Sequence, residues 1–129
     1  MARKNITYNQ PLEKEIGFSR AVRIGNIIAV TGTASIAKDG SVYARGNIYG
    51  QAKRCLEIIK DVIEQSGGKL DNVIRKRIFI KDIKQWKEAA KAHGEIFSRI
   101  QPASTFIEVS GFINPDWLIE IEADAVLEN

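Results

Sequence analysis

One cysteine and one histidine in 129 residues close off several kinds of chemistry at once. A lone thiol, Cys55, cannot form an internal disulfide and fits a reducing compartment. His93 has no second His or Cys near it in the sequence, so no metal-ligand set is expected. No apolar run reaches the length of a membrane span. The opening MARKNITYNQ lacks the apolar stretch of a secretory leader, so a cytoplasmic location is expected, and the sequon Asn5-Ile6-Thr7 carries no weight. Walker A, Gly-x-Gly-x-x-Gly and Gly-x-Ser-x-Gly sequences are all missing, which leaves cofactor use unsupported.

What is present describes one ordinary globular domain spanning 1–129. Hydrophobic residues make up 44% and charged ones 27% of the chain, enough for a core without staples. The net charge of +3 is mild. Basic and acidic residues alternate along the chain except at Arg75-Lys76-Arg77, which reads as a solvated or paired surface, so nucleic acid is not an expected partner.

Periodicity sets the element order. Residues 1–15 are polar and read as an arm with little core. Phe18 to Ile24 alternates, with Phe18, Arg20, Val22 and Ile24 on one side. Gly25-Asn26 turns it into a second strand, Ile27 to Ala34. Asp39-Gly40 marks a tight turn, with a short third strand expected at Ser41–Ala44. Gln51 to Ser66 carries an apolar stripe of Ala52, Cys55, Leu56, Ile59, Val62 and Ile63, and Gly67-Gly68 stops it. Val73 to Ile80 reads as a strand with Ile74, Lys76, Ile78 and Ile80 on one side and Val73, Arg75, Arg77 and Phe79 on the other. A second helix spans Ile83 to Arg99, with Trp86, Ala89, Ala90, His93, Phe97 and Ile100 as its stripe and Pro102 just beyond. Gln101 to Val126 holds two more strands, joined through Asn114-Pro115-Asp116. In the last, Ile119, Ile121, Ala123 and Ala125 alternate with Glu120, Glu122 and Asp124.

Two amphipathic helices cover only one face of such a sheet. The other face is expected to hold Arg20, Thr31, Thr33, Arg75, Arg77, Glu120 and Glu122 amid Val22, Val73, Phe79 and Leu118. That mixture is too apolar for a solvent face and too charged for a private core, and a subunit interface with paired charges fits it best.

The run Pro102-Ala103, then Glu108-Val109, then Ile119-Glu120-Ile121-Glu122-Ala123 resembles the C-terminal signature of the Rid (reactive intermediate deaminase, YjgF-like) family. Gly17 to Val22, Val30-Thr31-Gly32, Gln51 and Phe79-Ile80-Lys81-Asp82 match in order and spacing. The resemblance implies an α+β fold of the chorismate-mutase-like type, with two helices on one face of the sheet. It also implies a homotrimer with a central barrel and small-molecule clefts between subunits. In the active deaminases of that family an arginine directly after Pro-Ala clamps the substrate carboxylate, and a water held by the equivalent of Glu120 attacks an imine carbon. Here that position is Ser104. A hydrogen bond to a charged group is worth roughly 1.5–3 kcal/mol, so loss of a two-pronged clamp implies a poor 2-iminoacid deaminase.

The candidate site is therefore Glu120 as the catalytic acid, or alternatively a buried ion-pair partner, with ligand contacts from Phe18, Arg20, Thr31, Gly32, Ser104, Thr105, Phe106 and Trp86. Phe18 stands at the family's aromatic cleft position. Arg20, two residues on, is either an anion-binding replacement for the missing arginine or the partner of Glu120 or Glu108. Thr31 can donate to a ligand and Gly32 allows close approach, though both also read as ordinary strand-end residues. Backbone N–H groups at Phe106 and Thr105 would survive the change to Ser104. Trp86 reads as a cleft wall or as packing, Trp117 as a cover for the sheet end, His93 as a core histidine and Cys55 as inert core. Three functions follow: a hydrolase or deaminase of imine- or enamine-like metabolites, which is favoured; a non-catalytic module that binds or senses a small anion such as a carboxylate; and an RNA-directed role.

Overall fold

Alternation in the last strand decides which side of the sheet is covered. Ile119, Ile121, Ala123 and Ala125 are buried, while Glu120, Glu122 and Asp124 remain half exposed. The computed structural model describes residues 2–128. The chain runs β1 (Arg3–Ile6), α1 (Pro11–Ile16), β2 (Ala21–Ile24), β3 (Ile27–Thr33), α2 (Ile48–Gln65), β4 (Val73–Ile80), α3 (Trp86–Phe97), β5 (Ala103–Glu108) and β6 (Ile119–Val126). One six-stranded sheet has the order β1-β2-β3-β6-β4-β5. Neighbours are antiparallel except β4 and β5, which are parallel because α3 carries the chain back between them. This is the expected α+β fold, with α2 and α3 packed on one face.

The α2 stripe is the centre of the core. Ala52, Cys55, Leu56, Ile59, Val62 and Ile63 are each at most 1% exposed, and a buried Leu or Ile contributes about 1.5–3 kcal/mol. The helix begins at Ile48, earlier than its stripe suggests, because the Asn47 side chain accepts from the Gly50 N–H at 3.0 Å and caps it. Gly67 ends it at a φ of 95°, a conformation costly for any residue with a Cβ.

Several expectations are corrected. The first fifteen residues are not a loose arm. β1 pairs with β2 along its length, and α1 starts at Gln10-Pro11 with a capping box closed by Glu13. The first long strand begins at Ala21, not Phe18. Ser41–Ala44 is no strand, and only Ile36 and Val42 form a bridge there. The last two strands are consecutive in sequence but separated in the sheet by β4.

Two bulges overturn the facing of individual residues. In β4, Val73 pairs with Ala125 and Arg75 with Asp124, so Ile74 is an extra residue. Val73 is therefore in the core at 3% exposure, and Ile74 is outside at 54%. In β3, Val30 pairs with Ala123 and Thr33 with Ile121, so Thr31 and Gly32 together oppose one residue. Thr33 is turned into the core, where its hydroxyl donates to the Thr31 carbonyl at 2.8 Å. Trp86 leaves the expected stripe and is half exposed, because residues Ile83–Gln85 form a 3-10 turn before α3.

Candidate functional site

The β3 bulge sits beside Glu120 on β6. A Cβ at position 32 would lie 3.0 Å from Glu120 Oε1, so the absence of a side chain there gives the carboxylate room to rest against the strand. Phe18 and Arg20 approach from the segment before β2. Gln10, Leu12, Glu13 and Ile16 come from α1, and Ile113, Asn114 and Trp117 from the loop before β6. Together these enclose a cavity of about 660 Å³ that also reaches Thr31, Gly32 and Glu120. Its wall is largely apolar, with Arg20, Glu13 and Glu120 as the charged groups, the usual make-up of a small-molecule site.

Arg20 is the unusual member. It is only 5% exposed, and its guanidinium carbon lies 5.1 Å from the Phe18 ring centroid. Its Nε stands 3.7 Å from Glu13 Oε2, an ion pair too long for a hydrogen bond, and Nε has no other partner. Burial lowers the Arg20 pKa, and the charges of Glu13 and Glu120 oppose that shift. Glu13 is already occupied: its carboxylate accepts from the Thr7 hydroxyl at 2.6 Å and from the Tyr8 N–H at 3.1 Å. Glu120 is shifted the other way. Burial raises its pKa, Arg20 partly offsets this, and Glu122 adds to it. A guanidinium whose Nε is unpartnered and a carboxylate whose pKa burial raises thus share one cavity. Trp117 adds a buried indole N–H, again without a partner.

Comparisons with known proteins agree along the whole chain. The family model for "Endoribonuclease L-PSP" matches residues 8–127. The chain belongs to that family. A RutC family protein of Pyrococcus abyssi is 32% identical over 126 residues, 97% of this chain and 98% of the relative. Rv2704 of Mycobacterium tuberculosis, described as a member of the YjgF/YER057c/UK114 family, superimposes with a TM-score of 0.89 at 34% identity, covering 98% of this chain and all of that one (100%). The YjgF gene product of E. coli gives a TM-score of 0.84 at 28% identity, with coverage of 97% and 99%. The resemblance read from Pro102-Ala103 and the β6 strand is therefore family membership.

Within this L-PSP/YjgF chain, Phe18, Arg20, Thr31, Gly32 and Glu120 line one cavity. Ser104, Thr105, Phe106 and Trp86 do not line it. Ser104, Thr105 and Phe106 lie on β5 at one edge of the sheet, where the Ser104 hydroxyl donates to the Pro102 carbonyl at 3.1 Å, and Trp86 opens α3. The partner expected for Arg20 is corrected. Glu108 is elsewhere, accepting from the Ile83 N–H at 3.0 Å, and the paired acid is Glu13, with Glu120 acting through its charge. His93 is a half-buried residue stacked on Phe97 at 4.8 Å, with its pKa pushed down to about 4 by burial and then by Lys76. Cys55 is fully buried, and that burial raises its pKa. Among the described residues no cluster of His, Cys, Asp or Glu could hold a metal ion, and no helix is long and apolar enough to cross a membrane.

Gln51 holds the cavity wall in place. Its amide donates to the carbonyls of Ala44 at 3.3 Å and Asp116 at 3.0 Å, and its oxygen accepts from the Leu118 N–H at 2.8 Å. One buried side chain thereby ties two loops to α2. The sequence reading missed Glu13 and the rest of α1 as site residues. The signal was there in Gln10-Pro11-x-Glu13, a proline at the first helical position with an acid at the third.

Proposed function

We propose that three copies of this chain pack with their bare sheet faces inward. Each seam would join the Arg20–Glu120 cavity of one copy to the Ser104–Phe106 edge of the next. The cleft so formed takes a small, carboxylate-bearing metabolite with a C=N or related carbonyl centre. The observation that carries this reading is Arg20, a buried guanidinium whose Nε has no hydrogen-bond partner, lining a cavity that also holds Glu120. Leaving such donors without an acceptor costs stability, and a ligand carboxylate would satisfy them in the two-pronged geometry that guanidinium favours.

The open face and edge support assembly. β5 is an exposed edge strand, and Ile107 on it is 39% exposed; unprotected edges and half-apolar faces invite a partner. In the reaction, Glu120 holds a water that adds to the imine carbon. The nitrogen takes up protons and leaves as ammonia, and a carbonyl product remains. Ser104 cannot clamp the carboxylate as arginine would, so 2-iminoacid deamination is weak. An RNA-directed role is disfavoured by Arg77, whose Nη1 lies 3.5 Å from Glu122 and 3.4 Å from Asp124, so the basic run is neutralised by its own sheet.

Light scattering, together with an assay on freshly generated 2-aminoacrylate, tests the reading. A trimer is expected, with turnover at least about tenfold below that of an arginine-bearing relative, from the worth of the lost clamp. A monomer of 14.4 kDa would remove the cleft, and turnover equal to the relative's would remove the role given to Ser104.

A further inference from the structure

Arg20 also lines a second cavity, of about 320 Å³. Arg54 and Lys38 line this one and not the first. The three cations come from three separate places: the segment before β2, the body of α2, and the Asp39-Gly40 turn. Two of them are spoken for only in part. Arg54 Nε donates to the Ile36 carbonyl at 2.7 Å, and its Nη1 lies 3.3 Å from Glu57. Arg20 is buried with Nε unpartnered. Lys38 is exposed at the rim. Thr7 and Tyr8 also line the wall, their hydroxyls already donating to Glu13 and Asp61. Burial and then the hydrogen bond to Asp61 raise the Tyr8 pKa, and the charges of Arg54 and Arg20 oppose that shift.

We propose that this second cavity is a binding site for a compact dianion of the phosphate class, either the free ion or the phosphate end of a small metabolite. Glu13 and Glu57 offset two of the three cations, but donors of Arg20, Arg54 and Lys38 brought together from three separate elements match a compact group with several acceptor oxygens. Because Arg20 serves both cavities, a dianion here competes for the guanidinium that faces Glu120. Binding in one cavity weakens binding in the other by the same factor in each direction. That coupling rests on the role proposed for Arg20 in the cleft; the second site itself does not.

Calorimetric titration of the full chain with inorganic phosphate at fixed ionic strength tests the site. One phosphate per chain is expected, with acetate binding far more weakly. Arg54→Gln should weaken phosphate about tenfold or more, the worth of one charged hydrogen bond. Lys38→Gln, at an exposed position that does not threaten the fold, should weaken it several-fold. Glu120→Gln should leave phosphate binding in place, which separates this site from the cleft. Glycerol 3-phosphate binding more tightly than phosphate would identify a metabolite, and the reverse would identify the free ion. Absence of saturable binding, equal affinity for acetate, or unchanged affinity in both Lys38→Gln and Arg54→Gln would overturn the proposal.

Discussion

Arg20 and Lys76 are both cations inside the protein, 5% and 0% exposed, and the Nε of one and the Nζ of the other have no hydrogen-bond partner. Their surroundings differ. Arg20 stands between Glu13 and Glu120 at the meeting of two cavities. Lys76 points into the apolar core, its Nζ 4.2 Å from the centroid of the Phe97 ring, with His93 and Cys55 as the titratable groups near it. An ammonium can lose its proton, and burial pushes the Lys76 pKa down to about 7. A guanidinium cannot, so it must be balanced by acids or by a ligand. A buried cation that can discharge is tolerated as part of a core. One that cannot discharge, and opens on a cavity, is the group on which the proposed anion site rests.

The same substitution at the two positions should have opposite signs. Arg20→Met removes one member of a buried ion pair and strands Glu13, so it should destabilise the chain by about 3–5 kcal/mol in chemical denaturation. Lys76→Met keeps a flexible stem of similar length without the charge. It should stabilise by roughly 1–4 kcal/mol, most clearly below pH 7, where the native amine is charged. Lys76→Arg would sharpen the contrast, because its charge cannot be shed; loss of stability at every pH is expected.

The pH profile follows from the same shift. The unfolded chain holds the Lys76 proton up to its ordinary 10.5, while the native chain releases it near 7. Between those values the unfolded state binds more protons, so stability should rise with pH, by at most about 1.4 kcal/mol per unit. His93 adds a smaller rise of the same sign between about 4 and 6.5. Above the ordinary phenol value of 10.0, Tyr8, raised by burial, acts in the opposite sense. Urea melts from pH 6 to 9.5 should show the rise in the wild type and a nearly flat line in Lys76→Met.

The smallest effect concerns function alone. Ser104→Arg, on an exposed edge strand, should leave stability within about 0.5 kcal/mol and raise turnover of 2-aminoacrylate, as measured by ammonia release.

Elements with unbroken periodicity were legible in the sequence. The α2 stripe and the β6 alternation are buried as read, and both come from residues whose facing depends on nothing but local geometry. What failed depended on register or on distant segments. Alternation through β4 assumes no extra residue, and Ile74 is one, which exchanged the places of Val73 and Ile74. β1 and α1 are short and polar, so their order comes from pairing with β2 and from a cap rather than from a hydrophobic pattern. Missing α1 also meant missing Glu13 as the acid beside Arg20. Phe18, Arg20, Thr31, Gly32 and Glu120 line one cavity because they lie on or next to strands that meet in the middle of the sheet. Ser104 to Phe106 lie beyond β4 on the edge strand and Trp86 opens α3, all outside the cavity of a single chain.

The claim that Arg20 is an anion anchor is tested most directly by pyruvate binding. Pyruvate is a 2-keto acid with the carboxylate of the proposed substrate class. Arg20→Lys keeps a positive charge beside Glu13 but loses the planar fork. With the assembly mass shown unchanged by light scattering, the account predicts that pyruvate binds the variant about tenfold more weakly than the wild type. Equal affinity for the two proteins would contradict it.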